Sequence, residues 1–493
     1  MSAFSCNHVT RRTRARGWGS DGGYVQTLGW QGKRGELGFL WGAVYIADGV
    51  IGATGVAFHA GNNQGAKEIA AALHARGTYE AWQVAVAGVM QHPRVAIGYF
   101  AALAAPLLTL IDEADNFGLE YACVTSRGKT TAIRVPASVW GQPDDRQGVI
   151  RTWDASRTNV ERTAAALASM PVILDDTKRA HDTKAVGQFV YDFMSGQGRG
   201  RATIEGLAPT GVWRSVLLST GEAPLTSFSE DGGVRARVIE IASMPFERAD
   251  ADTGLFVVRL RNALLENYGH AGPRYIAWLQ KSEVRIALQP LYRHWRDQWL
   301  FLAAGHPVAS RMAGYFATLT VAGLASQALF ALPATQEEVL AILRRIWDEV
   351  APSMADADPP KRALQQVREW TSIHPTSFWG RHRHDPKGQV IPPNGGWAGQ
   401  WDLVVNWTEV SFITIKLEEI LRELGHDSEG VISAWAERGW LVKDHGRRTV
   451  KRNVAGDKVR CYVIRRSAIE SETDDVPTLP CTSPVTGDLD FWE

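Results

Sequence analysis

One pairing of short motifs constrains this chain more than anything else in it. Pro171-Val-Ile-Leu-Asp175-Asp176 is an apolar run closed by two carboxylates, and it lies downstream of Gly128-Lys129-Thr130. Alone, a Gly-Lys-Ser/Thr tripeptide is weak, arising by chance in roughly one chain in four of this length. Followed by a buried strand that ends in acids, it supplies the two halves of a phosphate site. The first half needs backbone N–H groups turned inward, a lysine for the β- and γ-phosphates and a hydroxyl for a divalent cation. Thr125, Ser126, Arg127, Gly128, Lys129, Thr130 and Thr131 are the candidates. A helix starting near Lys129 would point its N-terminus at the phosphates. In the second half, Asp175 would hold Mg²⁺ together with Thr130, and Asp176 would polarise an attacking water. The pair makes a P-loop NTPase the leading reading, with ATP and Mg²⁺ as cofactors. The alternative is a buried strand capped by acids.

Three positions depart from the pattern. Cys123 stands where the first loop glycine would let the backbone turn tightly. Pro136 falls inside the following helix and should kink it. Asp176 is also one methylene shorter than the glutamate usual at its place, which favours slower hydrolysis over none.

Composition narrows the field. The 493 residues carry 53 Lys+Arg against 53 Asp+Glu and are 45% hydrophobic, so wholesale disorder and a polycationic coat for nucleic acid are both excluded. Any basic site must be local. The four cysteines, Cys6, Cys123, Cys461 and Cys481, lie too far apart for a CxxC metal or redox site, and their sparseness points to the cytoplasm. Val95–Ile111 is the longest apolar stretch; it is shorter than a membrane span and contains Gly98 and Pro106, so it reads as a buried helix. No membrane association is expected.

Further residues suit a ring ATPase. Val212–Glu222 reads as a strand ending in Ser219 and Thr220, where a sensor of the γ-phosphate would sit. Gly233-Val-Arg235-Ala-Arg237 precedes another strand. Arg237 first, then Arg235, could reach a neighbouring subunit's nucleotide, the alternative being a structural ion pair. Between the acids and the sensor lies Ser195-Gly-Gln-Gly-Arg-Gly-Arg, a Gly-rich basic loop. Arg199 and Arg201 would contact nucleic-acid phosphates there, unless it is simply a surface loop. His382, His384 and Asp385 form the only His-rich cluster and sit in a Gly/Pro-rich loop, with metal binding the weaker option.

The C-terminal part has its own shape. Ile415–Leu424 reads as a helix ending at Gly425, and a second begins at Ser428 as N-cap and stops at Gly439. Trp440–Asn453 and Asp457–Ser467 then read as two basic strands, making a winged helix. Arg447, Arg448, Lys451 and Arg452 are the candidate DNA contacts; a solvated protein-interaction wing is the alternative. From Glu470 to Glu493 the charged side chains are all acidic, and the segment reads as disordered.

These strings resemble the domain-of-unknown-function-927 family of phage, plasmid and integrative-element helicases. The matching residues are Gly29-Trp-Gln-Gly, Thr125-Ser-Arg-Gly-Lys-Thr-Thr, Ser138-Val-Trp-Gly, Trp153-Asp-Ala, Leu174-Asp-Asp-Thr-Lys-Arg-Ala, Ser195-Gly-Gln-Gly-Arg-Gly-Arg-Ala, Trp213-Arg, Leu218-Ser-Thr-Gly-Glu-Ala-Pro and Gly233-Val-Arg-Ala-Arg-Val. The resemblance implies an α/β P-loop core of the AAA+/RecA-like kind, a helical domain and a C-terminal winged helix. It also implies a hexameric DNA-dependent ATPase in mobile-element replication, primed by a separate primase. The expected units are an accessory domain over 1–92, the ATPase core over 93–250, a helical domain over 251–375, loop plus winged helix over 376–469, and the acidic tail over 470–493. Two functions stay open: an ATP-driven motor on DNA, and a weakly active or inactive ATPase acting as an origin-binding scaffold.

Overall fold

The computed structural model describes residues 23–32, 37–124, 128–200, 202–203, 206–207, 210–228, 236–303, 306–356, 359–401 and 407–470. Thr125, Ser126, Arg127, Arg201, Arg235 and the acidic tail beyond residue 470, all singled out from the sequence, lie outside them.

After a short strand, Tyr24–Val25, that pairs in parallel with Ala57–Phe58, the described residues form an antiparallel meander of β1 (Gly29–Gln31), β2 (Gly38–Trp41), β3 (Val44–Ala47) and β4 (Val50–Ile51). Helices α1 (Gln64–Ala72) and α2 (Tyr79–Ala87) follow, each started by a side-chain cap, from Asn63 and Thr78. Helix α3 (Pro93–Leu110) is apolar all round and buried along nearly its whole length, as a helix with no polar face must be.

Next comes the α/β layer: β5 (Phe117–Ala122), α4 (Lys129–Trp140), β6 (Ile150–Thr152), α5 (Arg157–Leu167), β7 (Val172–Asp175), α6 (Thr183–Ser195), β8 (Val216–Gly221) and β9 (Val238–Ile241). The five strands are all parallel, in the order β9-β5-β8-β7-β6. Burial on both faces explains why these strands read as nearly unbroken apolar runs. The chain leaves β5 toward one edge of the sheet and leaves β8 toward the other. The crevice between those neighbours is therefore the topological switch point, where ligands of such sheets bind, outside the strands' carboxyl ends. Helix α4 runs unbroken from Lys129 to Trp140 with Pro136 inside it.

Five helices complete this part: α7 (Ala251–Glu266), α8 (Ala271–Leu279), α9 (Ser282–Leu302), α10 (Pro307–Phe330) and α11 (Gln336–Asp356). Helices α3 and α10 pack on each other, and Phe117 of the sheet stacks on Tyr315 at 5.1 Å. Both helices are long and apolar enough to cross a membrane, yet both are buried within the protein. The buried residues from Leu28 to Val350 form one continuous cluster, so meander, sheet and helices share a core.

A second cluster runs from Ala363 to Ile469. The elements of this part are α12 (Pro359–Ile373), β10 (Phe378–Trp379), β11 (Gly399–Gln400), β12 (Glu409–Ile413), α13 (Thr414–Glu423), α14 (Ser428–Glu437), β13 (Val450–Val454) and β14 (Asp457–Arg465), with strand order β10-β11-β12-β14-β13; Val454 of β13 packs in a small separate cluster with Cys461 and Val463. This is a winged helix with an extra sheet edge. Two details differ from the sequence reading. The cap of α14 is Asp427, whose side chain accepts from the Gly430 amide, and not Ser428. The first wing strand is also interrupted: Leu441 bridges to Ile464, the chain turns back at His445-Gly446, and regular pairing resumes only at Val450. His445 and Gly446 both have positive φ, 46° and 80°, the conformation a two-residue hairpin turn requires.

Candidate phosphate site and nucleic-acid surfaces

Strand β5 ends at Ala122, Cys123 lies buried just beyond it, and α4 starts at Lys129. Gly128 makes the entry possible. Its φ is +83°, and a Cβ there would lie 2.8 Å from the Phe246 ring. The first amides of α4 lack intrahelical acceptors and carry the positive end of the helix dipole, which suits them to a phosphate. The Lys129 ammonium folds back over its own loop, donating to the Cys123 carbonyl and, at 3.3 Å, to the Val124 carbonyl.

Across the crevice, Thr220 ties two strand ends together. Its hydroxyl donates to the Asp175 carboxylate and accepts from the Asp176 amide at 2.9 Å. Burial raises the Asp175 pKa, with Asp176 and Asp145 adding to the rise and the Thr220 bond and Arg134 opposing it. Asp176 has a left-handed φ of 61°, and its carboxylate accepts from the Lys178 amide at 3.3 Å, capping the next turn. Ser219 points to the other side of β8 and accepts from Trp153 Nε1 at 3.0 Å. Sensor candidates Ser219 and Thr220 are thus both buried, on opposite sides of one strand.

Hard oxygen donors at this edge, one carboxylate in Asp175 and one hydroxyl in Thr130, fit magnesium, which is usually held by one or two carboxylates plus substrate phosphates. No group of three or more His, Cys, Asp or Glu suited to a metal occurs among the described residues. His382 instead stacks on Trp379 at 4.2 Å, and Asp385 accepts from the Lys387 and Gln389 amides of its own turn.

Glu120 was not singled out from the sequence. It lies in the middle of β5, fully buried, facing Glu240 on β9 and Ser219 on β8 in the strand register. One carboxylate oxygen accepts from the Leu225 amide at 2.6 Å; the other has no hydrogen-bond partner among the described residues. Burial, and secondarily Glu240, pushes its pKa up to about 8 against the pull of the Leu225 amide, Ser219 and Lys129. The only signal in the sequence was an acid inside an otherwise apolar strand.

At the opposite, amino-terminal edge of the sheet the Gly-rich segment forms a hairpin. Gln197 bridges to Val212, the Gly198 amide donates to Gly211, and Ala202–Thr203 pairs with Gly206–Leu207. Trp213 anchors its base, only 3% exposed, stacking on Phe193 and donating to the Phe193 carbonyl at 2.9 Å. Arg199 is exposed beside Gln188. Arg237 lies at this same edge, over the Tyr191 ring at 5.3 Å, so the structure separates it from Lys129 within one chain.

On the wing, Arg447 and Lys451 are exposed. Arg448 pairs with Glu429 of α14 at 3.0 Å, and Arg452 pairs with Glu409. Alternation along β13 puts Lys451 and Arg452 on opposite faces.

Residues 23–212 match the model of the domain of unknown function DUF927, and residues 358–468 match the Cch helix-turn-helix domain. No curated protein matches the chain. Its fold is similar to a solved structure described as the SCCmec type IV Cch, an active helicase, with a TM-score of 0.70 at 16% identity, covering 90% of this chain and 80% of that one.

Proposed function

We propose, for a chain that carries a DUF927 domain ahead of a Cch helix-turn-helix domain, that it is an ATP-driven DNA helicase or translocase of a mobile element, working as a hexameric ring. The observation that carries this reading is the meeting of Gly128, Lys129, Asp175 and Thr220 at the switch point of the sheet, with the hairpin at the other end of the same strand. The fold shared with a protein described as an active helicase supports it.

The amides after Gly128 would cradle the phosphates, with Thr125, Ser126 and Arg127 completing the loop. Lys129 would exchange the Cys123 carbonyl for phosphate oxygens. Thr130 and Asp175 would hold the nucleotide's magnesium, which when bound would neutralise charge on the phosphates. Asp176 would orient the attacking water, and Thr220 would sense the γ-phosphate through its bond to Asp175. Arg237 lies at the far edge from its own Lys129 and would act on a neighbouring subunit's nucleotide, with Arg235 as second choice. Arg199 and Arg201 would grip DNA, and the winged helix would anchor it.

A second reading has one observation in its favour: Asp176 spends its carboxylate on capping the Lys178 amide. An enzyme with that carboxylate withdrawn would hydrolyse slowly and serve as a scaffold whose assembly ATP sets. ATPase rate with and without single-stranded DNA, beside Lys129→Ala, separates the two. Stimulation by DNA that Lys129→Ala abolishes is the expected result. A rate indifferent to DNA and equal to that of the variant would overturn the motor.

A further inference from the structure

The winged helix presents two outward surfaces of opposite character. On α14, Glu429 and Glu437 are exposed two turns apart, with the half-buried Ser433 between them on the same face. A helix that reads bases in the major groove normally brings arginine, lysine, asparagine or glutamine to them; this face brings two acids. Ser433 donates to Glu437 at 3.3 Å, and Glu429 is engaged by Arg448.

The hairpin is different. In its ladder Lys451 stands directly opposite Arg460, and Asn453 opposite Lys458. All four are exposed on one face. The other face carries Val450, Val454 and Cys461, packed against Trp379 and Trp397. Like charges directly across a ladder are destabilising, and neither Lys451 nor Lys458 has an ion pair to relieve it among the described residues. Among the described residues Arg460 has only the Thr449 hydroxyl, at 3.2 Å. The nearby acids, Asp444 and Asp457, sit at the two turns and not on this face. Such an arrangement is at ease only with a polyanion lying across it.

We infer that this domain grips duplex DNA through the Lys451/Arg460/Lys458 face of the hairpin, by phosphate contacts, and that α14 reads no bases. The inference rests on the proposed role of the domain in DNA binding and specifies its surface. Arg448 and Arg452, neutralised by Glu429 and Glu409, take no part. Binding is then indifferent to sequence and steeply dependent on salt.

The test uses the full-length protein and two fluorescein-labelled duplexes of unrelated sequence, with anisotropy read over a range of KCl concentrations. Lys451→Gln combined with Arg460→Gln should weaken binding to both duplexes by about tenfold and lower the slope of log affinity against log salt by about two. The same variant should unfold at a slightly higher temperature, because it removes the repulsion, a gain that a misfolded variant would not show. Glu429→Ala with Ser433→Ala and Glu437→Ala should bind both duplexes as tightly as the wild type or more tightly. Unchanged affinity and slope in the hairpin variant overturns the inference, as does selective loss of one duplex in the α14 variant. Wild-type protein that binds neither duplex would instead sink the parent reading of the domain.

Discussion

Replacing Glu120 with glutamine should stabilise the protein, and increasingly so as the pH rises from about 5 toward 8. The ordinary glutamate value of 4.5 describes the carboxyl in the unfolded chain, whereas burial in the fold pushes it up to about 8. Between those values the folded state keeps a proton that the unfolded state has released. Stability of the wild type then falls by about 1.4 kcal/mol for each pH unit. At neutral pH the accumulated loss is roughly 3 kcal/mol, and it stops growing once the folded carboxyl also ionises. Glutamine carries no such penalty, and its side-chain oxygen can still accept from the Leu225 amide. Thermal unfolding of both proteins, followed by tryptophan fluorescence across this pH range, is the assay. Their midpoints should nearly coincide at the acid end and separate by several degrees near neutrality, with the variant higher. A separation that stays constant with pH would refute the assignment of a buried, proton-holding carboxyl to this site.

Three other substitutions probe the same half of the molecule. Gly128→Ala forces a side chain into a left-handed turn and toward the Phe246 ring, costing about 1–3 kcal/mol, and should weaken binding of a fluorescent ATP analogue. Thr220→Val leaves the Asp176 amide without its acceptor and removes a bond that holds the Asp175 pKa down. It should cut kcat at least about tenfold with little change in KM, and move the acid limb of the pH–rate profile upward. Trp213→Ala empties a buried site at the base of the hairpin, costing about 3–5 kcal/mol, and should abolish DNA stimulation while basal ATPase activity persists.

What the sequence revealed depended on how local the cause was. Strand β7 and helix α4 were legible because an apolar run and a glycine before a lysine are self-contained signals. The winged helix was legible from two amphipathic helices and a basic hairpin. Glu120 was not, since a single acid in Phe-Gly-Leu-Glu-Tyr-Ala looks the same whether its strand lies at a sheet edge or in the centre. Nor could sequence show that Lys451 and Arg452 face apart, because that depends on where pairing resumes after the His445-Gly446 turn. Arg448 and Arg452 looked like free cations only because their acids, Glu429 and Glu409, are distant in the chain.

Strand β8 leads from Trp213, at the root of the hairpin, to Thr220, at the phosphate crevice. Every one of its six residues is buried, and it is flanked by β5 on one side and β7 on the other. In the proposed motor it would serve as a push-rod clamped along its length, roughly 20 Å from end to end. A close-packed interior leaves it little play, so in the motor proposed above a displacement at Thr220 would be passed along the strand toward Trp213. The stroke of such a device is set by the stiffness of its bearing, which makes the apolar neighbours of β8 as much a part of any motor as the charged residues at its two ends.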